Sequence, residues 1–317
     1  MPRKETFLGL LISAGLLYVV LSFIDLKSLQ KIVMEFGVEY FVLFGLLYVS
    51  TFFFKAVRWR TVVRPMARIS ISDSEKILFA SSFVNNIAPA RLGELVRAFL
   101  LGKKSGIGFA AALSTVLIDR ILDGLTMVAL FVTVEPFAES QLGQLHQVLE
   151  IIGVFLAVSL AFILLPARRL LTLRGPLKSL PASLREVLKG LNLGGQAFLT
   201  YPSNVILLAS SFTTWLLDVF FLYLITRRVG LDISVPATVV ILLILNIGLL
   251  LPSAPGNVGT YEAFLIIGLL SFGSGVTEAA AVALIAHIIQ YIAVAVLGAF
   301  SFKSMDLDWR EIVKARH

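Results

Sequence analysis

Two apolar stretches of this chain are broken by polar, helix-disrupting residues at a depth where hydrocarbon would otherwise surround them, and few folds accommodate that. The first runs from Ile77 to Val84, through Asn85-Asn86-Ile-Ala-Pro89-Ala-Arg91-Leu-Gly93-Glu94-Leu-Val-Arg97, into Ala98-Phe-Leu-Leu101. Each apolar arm is too short to cross about 30 Å of hydrocarbon as a helix. Pro89 lacks a backbone donor and biases Ala88 away from helix, while Gly93 permits close backbone approach. Such a break survives at membrane depth only inside protein or beside a water-filled cavity. The pattern predicts two half-helices meeting at a polar tip, a re-entrant hairpin. A second stretch repeats it: Asn246-Ile-Gly-Leu-Leu-Leu-Pro252-Ser-Ala-Pro255-Gly256-Asn257-Val-Gly259-Thr-Tyr-Glu262.

Composition sets the surroundings of these tips. With 58% hydrophobic residues in 317, the chain reads as a polytopic α-helical membrane protein, a single integral membrane domain over residues 1–317. Its net charge of +7 does not point to nucleic acid, because the Lys and Arg lie between apolar spans, as the positive-inside rule places them. The absence of cysteine excludes disulfides, thiolate metal sites and a Cys nucleophile.

Full spans are expected at residues 7–24, 40–57, 109–134, 148–165, 203–226 and 277–302. Amphipathic segments follow the first and fourth of these, carrying Leu26, Leu29, Ile32, Val33 and Phe36, and Leu177, Leu180, Leu184, Val187, Leu188 and Leu191. The hairpins take residues 72–104 and 235–272, the first opened by a capping box at Ser72-Asp-Ser-Glu75. Lys55, Arg58, Arg60, Arg64 and Arg68 mark a cytoplasmic end, as do Lys103, Lys104, the basic loop 168–189 and the basic C-terminus. Residues 135–147 lack Lys and Arg and are expected outside, with both termini in the cytoplasm of a cell membrane. Arg227 and Arg228 run against this assignment. Both halves, roughly 1–140 and 141–317, share the order span, elbow, span, hairpin, span. Ser105-Gly-Ile-Gly-Phe-Ala-Ala-Ala also resembles Ser274-Gly-Val-Thr-Glu-Ala-Ala-Ala. An odd number of full crossings per half inverts the second against the first. The expected fold is therefore all-α, two inverted-topology repeats of three transmembrane helices plus a re-entrant hairpin, a plan with its binding site at the repeat interface.

Arg91, Glu94 and Arg97 share one face of a half-helix, and Asp119 and Asp123 share one face of their span beside Arg120. Charges at that depth are costly unless paired or hydrated, and usually mark a pathway. Half-helix N-termini at the tips also favour anions. A headgroup cavity is expected from Asn86, Arg91, Gly93, Glu94, Arg97, Asp119, Arg120, Asp123, Asp218, Pro255, Gly256, Asn257, Gly259, Glu262, His287 and Tyr291. The arginines suit a phosphate and the carboxylates an amine, so an anionic or zwitterionic lipid headgroup fits, aminoacylated ones included. Simple structural pairing of these charges stays open. Asp218 reads equally as a proton site or a hydrogen-bonded core residue. No metal or cofactor is expected: His287 has no second His or Cys spaced to join it. Arg97 stands where a P-loop starting there needs glycine, and neither a Gly-x-Ser-x-Gly elbow nor a His-Glu-x-x-His helix is present.

Together, Asn-x-x-Pro-x-Arg91-x-Gly-Glu94-x-x-Arg97, Asp119-Arg-x-x-Asp-Gly124 and Pro-Ser-x-Pro-Gly256-x-x-Gly-Thr-x-Glu262 resemble the lysylphosphatidylglycerol synthase transmembrane family, the flippase-like part of the bacterial multiple peptide resistance factor. The resemblance implies lipid translocation between leaflets, with the tips and the acidic-arginine helix lining a central cavity. Asp119 stands where Glu is usual, Asn257 where a second Gly is usual, and His287 where Arg is frequent. Only about fifteen residues follow the last span, so the fused synthetase activity is not expected. The leading expectation is a translocase of a phospholipid or glycolipid. The alternatives are a membrane-embedded transferase or hydrolase using Glu94, Asp119 and Asp123, or an accessory subunit of a lipid-modifying enzyme. Membrane lipids are the expected partners, and a homo-oligomer is left open.

Overall fold

The computed structural model describes residues 2–88, 92–137 and 181–305. Their regular structure is entirely helical: α1 (Pro2–Ser22), α2 (Leu26–Glu35), α3 (Val38–Val63), α4 (Ile71–Ile87), α5 (Leu92–Ser105), α6 (Phe109–Val134), α7 (Ala182–Leu199), α8 (Ser203–Val229), α9 (Val235–Gly248), α10 (Thr260–Leu270) and α11 (Val276–Ser304). The span expected at 148–165, residues 138–147 of the acidic loop, residues 168–180 of the basic loop with Lys178, Leu177 and Leu180, Pro89, Arg91 and the C-terminus from residue 306 lie outside the described residues. Helices α3, α8 and α11 are each long and apolar enough to cross a membrane, and α1 with α2 makes a fourth candidate bent by 94°. Helix α6 is as long as α3, with 26 residues or about 39 Å, but carries Asp119, Arg120 and Asp123 in its middle.

Local chemistry explains the boundaries. Asp25 caps α2 by accepting from the Lys27 amide (3.0 Å) and the Ser28 hydroxyl (2.6 Å). Leu29 and Val33 lean on the core while Lys27 and Lys31 stay outside, as an amphipathic elbow requires. The cap of α4 is Ser70 rather than Ser72: its hydroxyl takes the Asp73 amide (2.9 Å) and donates to the Asp73 carboxylate (2.8 Å). The two-residue shift arises because Ser70 has the extended backbone a cap needs, whereas Ser72 is already helical.

α4 and α5 form a helical hairpin whose outer ends are joined by Lys104 Nζ and Asp73, 3.0 Å apart. At 17 and 14 residues, about 25 and 21 Å, neither arm spans a bilayer core alone. The arms touch at Gly93, where a β-carbon would lie 2.0 Å from the Ser81 carbonyl oxygen, so only glycine fits. Helices α9 and α10 form the second hairpin, joined by a short 3-10 turn at Pro255–Asn257.

α3 packs extensively on α8, α4 on α11, α9 on α6, α2 on α11, and α7 on α6. Phe52 of α3 stacks on Phe79 of α4 with centroids 4.1 Å apart, and Trp59 donates to Thr115 of α6 (3.1 Å). From Leu184 onward the leucine-striped segment expected as an interfacial elbow lies in α7, and the inner face of that helix is glycine. A β-carbon on Gly190 would lie 2.2 Å from Ser114 Oγ, and one on Gly194 2.5 Å from Ile118. Small residues four apart thus bring α7 onto α6 at close range.

Charged side chains are tied down at both ends of the bundle. Arg60 donates to the Ile69 carbonyl (2.9 Å) beside Asp73 and Lys104, and a β-carbon on Gly108 would lie 3.7 Å from Glu186. At the opposite end, the Asp25 amide donates to Thr277 (3.3 Å). Arg228 there donates to the Glu35 carbonyl (2.9 Å) and covers the Tyr40 ring, while Arg227 pairs with Asp232. Those two arginines, which run against the expected charge asymmetry, thus have partners close by.

Candidate functional site

The middle of α6 presents its carboxylates to two buried guanidiniums. Arg58 of α3 donates through Nε to Asp119 Oδ1 (2.7 Å), and its Nη1 lies 2.7 Å from Asp123 Oδ1. Arg97 of α5 places Nη2 2.8 Å from Asp119 Oδ2 and stacks its guanidinium 4.1 Å from the Trp59 ring. The side chains of Arg58 and Asp119 are 1% and 3% exposed. One turn away, Arg120 reaches Asp123 (3.2 Å) and Glu94 of α5, and it is 53% exposed. α3, α5 and α6 are thereby joined by a continuous chain of ion pairs, which a charged group at this depth needs.

Beside this chain lies a cavity of about 250 Å³. The described residues lining it include four cations, Lys55, Arg58, Arg97 and Arg120, and four carboxylates, Glu94, Asp119, Asp123 and Asp218. Lys55 of α3 and Asp218 of α8 form a separate pair, 3.6 Å apart, with side chains 25% and 17% exposed. Asn85, Ser81 and Ser82 of α4, Asn246 of α9, Tyr261 of α10 and Gln290 of α11 complete the polar wall, and Tyr48, Phe52, Trp215, Phe221 and Leu222 the apolar one. Five buried polar atoms on lining residues have no hydrogen-bond partner among the described residues: Arg58 Nη1 and Arg97 Nη2, which have only their ion-pair contacts to Asp123 and Asp119, and Glu94 Oε2, Arg97 Nε and Trp215 Nε1.

Of the residues singled out in the sequence, Gly93, Glu94, Arg97, Asp119, Arg120, Asp123 and Asp218 come together here, and Asp218 has a cation partner rather than standing alone. Arg91 lies outside the described residues. Asn86, Pro255, Gly256, Asn257, Gly259, Glu262, His287 and Tyr291 do not line this cavity. Most of them build a second cluster, where the two hairpin tips meet. Glu262 Oε2 accepts from the Gly259 amide (2.7 Å), closing half a capping box on α10, and Oε1 faces His287 Nδ1 at 2.6 Å. His287 Nε2 donates to the Gly256 carbonyl (2.9 Å), since a carbonyl can only accept. Tyr261 stacks on the imidazole at 4.3 Å. Tyr291 donates to the Asn86 carbonyl, and the Asn86 amide donates to the Tyr291 carbonyl, each at 3.4 Å. Ser13 of α1 accepts from the Ala254 amide (2.9 Å). Gly256 and Gly259 have φ of 67° and 85° and Asn257 of 59°, a left-handed conformation in which Asn is the best substitute for Gly. Ser253 donates to the Asn257 side chain (2.8 Å).

Several lining residues escaped the sequence reading. Lys55 and Arg58 look like the start of the basic cluster that continues through Arg60, Arg64 and Arg68. Because α3 extends to Val63, they fall inside the bundle. Their signal was spacing: Phe52, Lys55 and Arg58 lie three apart, on one helical face with an aromatic. Asn85, which accepts from the Gly93 amide (2.7 Å), is the capping partner of α5.

A family model described as Lysylphosphatidylglycerol synthase TM region matches residues 6–298. Among curated proteins, one UPF0104 membrane protein of Methanocaldococcus jannaschii is 27% identical over 73% of this chain and 97% of its own length. A second from the same organism is 24% identical over 99% of this chain and 97% of its own. A UPF0104 membrane protein of Pyrococcus horikoshii is 30% identical over 39% of this chain and 38% of its own. No solved structure matches.

Proposed function

Because the chain belongs to the lysylphosphatidylglycerol synthase transmembrane-region family, we propose that it is a lipid translocase that carries a headgroup through the charged cavity between α3, α5, α6 and α8. The observation that carries this reading is the cavity itself: eight charged side chains, balanced in sign, on α3, α5, α6 and α8, of which α3 and α8 are long and apolar enough to cross a membrane. Intramembrane charges on a cavity wall ordinarily mark a substrate path. The volume is below the ~300–1,000 Å³ of drug-sized ligand sites, which suits a headgroup whose acyl chains stay outside in lipid. Arg58 and Arg97 are almost fully buried and hold the helices together. Arg120 and Lys55, the more exposed cations, make first contact with the headgroup.

The inverted arrangement belongs to the same proposal. If α1–α6 and α7–α11 with the preceding segment are related by a two-fold axis in the membrane plane, α3 corresponds to α8, α4 to α9, α6 to α11 and α2 to α7. The contacts are then reciprocal: α4 on α11 answers α9 on α6, α2 on α11 answers α7 on α6, and α3 meets its own counterpart α8. In this arrangement α4 with α5, and α9 with α10, are re-entrant hairpins entering from opposite faces, their tips meeting near the midplane at Asn86 and Gly256.

The test is reconstitution of the purified chain in liposomes with a fluorescent phospholipid in one leaflet. Headgroup relocation without chemical change, slowed at least tenfold by Arg120→Ala, is the expected result. Appearance of a modified lipid would replace the translocase with a membrane-embedded transferase or hydrolase. Failure to relocate either phospholipids or glycolipids would remove the reading altogether.

A further inference from the structure

The cations of the cavity are not equivalent. Arg58, Arg97 and Arg120 are guanidiniums, which keep their charge in proteins, and they are matched by Asp119, Asp123 and Glu94 in one connected set. Both oxygens of Asp119 and both of Asp123 are engaged there. Lys55 and Asp218 stand apart from that set. They share one contact, at 3.6 Å, against 2.7–2.8 Å for the Arg58 and Arg97 pairs. Among the described residues neither has another ion-pair partner; Lys55 otherwise only faces the rings of Phe52 (5.3 Å) and Tyr48 (5.9 Å). Both reach the cavity, so this is the pair an anion can open without breaking the joint between α3, α5 and α6.

We propose that Lys55 and Asp218 form a proton-coupled anion seat, in which an anionic phosphodiester headgroup takes Lys55 away from Asp218 and Asp218 takes up one proton from water. This rests on the reading of the cavity as a headgroup site. The charge balance requires the proton. Before binding, the four cations and four carboxylates that line the cavity cancel. A phosphodiester brings one negative charge and Lys55 has only one positive charge to give, so Asp218 is left without a counter-ion. The groups around it do not replace Lys55. From α3 they are Tyr48 and Arg58, from α6 Asp123, and from α10 Tyr261; α9 and α11 contribute only the neutral Asn246 and Gln290 to this wall. Arg58 is already divided between Asp119 and Asp123, and Trp215, Phe221 and Leu222 make the rest of the surface apolar. A lone carboxylate in such surroundings is far more stable protonated. Added proton and added anion cancel, so the occupied cavity is again neutral and can move its contents across low dielectric. When the headgroup leaves, Lys55 returns and the proton is released to water. Proton and lipid therefore travel together, and a pH difference across the membrane drives the lipid toward the more alkaline side.

The experiment is isothermal titration of the full chain, in detergent near neutral pH, with dihexanoylphosphatidylglycerol. Repeating it in buffers of different ionisation enthalpy gives the protons taken up per lipid bound. The wild type is expected to take up close to one proton, with affinity weakening by up to about tenfold per unit rise in pH. Asp218→Asn is expected to bind several-fold more tightly with no proton uptake and a flat pH dependence, and Lys55→Met to bind roughly tenfold more weakly or worse. Lipid binding to the wild type without proton uptake overturns the coupling and leaves the headgroup site standing, as does proton uptake that persists in Asp218→Asn. No binding of this lipid by the wild type overturns both. The chain-free headgroup glycerophosphoglycerol and inorganic phosphate serve as companion probes. Comparable binding of either, with the same proton count, identifies the seat as one for small soluble anions and overturns the lipid assignment. The wild-type proton count stands by itself should a variant fail to fold.

Discussion

Replacing Asp119 by asparagine removes the one carboxylate that touches both buried guanidiniums. Arg58 keeps Asp123, at 2.7 Å, but Arg97 keeps only the face of Trp59. Arg97 is 3% exposed, so its stranded charge has little access to water, and breaking a buried pair from one side costs about 3–5 kcal/mol. Two double variants then separate pairing from net charge. Asp119→Asn with Arg97→Gln leaves Arg58 on Asp123 and Arg120 on Glu94, each with its partner, and should return to within about 1 kcal/mol of the wild type. Asp119→Asn with Arg58→Gln restores the same net charge but leaves Arg97 without a touching carboxylate. It should remain about 3 kcal/mol below the wild type. Equilibrium unfolding in mixed micelles, supported by thermal midpoints, gives the three numbers. Equal recovery by the two double variants would mean that total charge alone matters, and would refute the role assigned to the contacts of Asp119.

Gly190→Ala should destabilise by about 1–3 kcal/mol through overpacking, because its β-carbon meets Ser114 and, at 3.2 Å, the backbone of Ala111. Gly15→Ala in α1, with open space around it, should be neutral or slightly stabilising; the thermal midpoints of the two variants check the contrast. For the topology, single cysteines at Lys104 and Arg185 should react with an impermeant maleimide from one membrane face and a cysteine at Glu135 from the other. Labelling of Lys104→Cys and Arg185→Cys from opposite faces would contradict the packing of the start of α7 beside Gly108.

The architecture was legible in the sequence where local chemistry is strong. The proline and glycine interruptions place both hairpins, and most helix ends fall within a few residues of the apolar runs that announce them. The pairing of Asp119 and Asp123 on one face of α6 was also readable, because an i, i+4 spacing is fixed by helix geometry. What could not be read was the partner. Arg58 lies 61 residues before Asp119, and nothing local separates it from the basic residues that follow it. The capping and packing details were hidden for a similar reason. Gly190 and Gly194 interrupt a conspicuous leucine stripe, and only the presence of α6 shows that the glycine face, not the leucine face, meets the bundle most closely. The sixteen residues grouped from sequence divide between the charged cavity and the locked second tip, apart from Arg91. Spacing along a helix cannot show which of two neighbouring clusters a tip belongs to.

The link between Arg58 and the middle of α6 also bears on how the chain is made. Taken alone, α6 is a poor passenger for a translocon: three central charges at about 2.5–3.5 kcal/mol each amount to roughly 8–10 kcal/mol against release into lipid. Helix α3 is synthesised first, and its Arg58 waits for the two aspartates that arrive some sixty residues later. If α6 crosses the membrane, its release into the bilayer has to follow its meeting with α3 and with Arg97 of α5. These three helices should leave the insertion machinery as a group, and a mutation in α3 should show itself as failed insertion of α6.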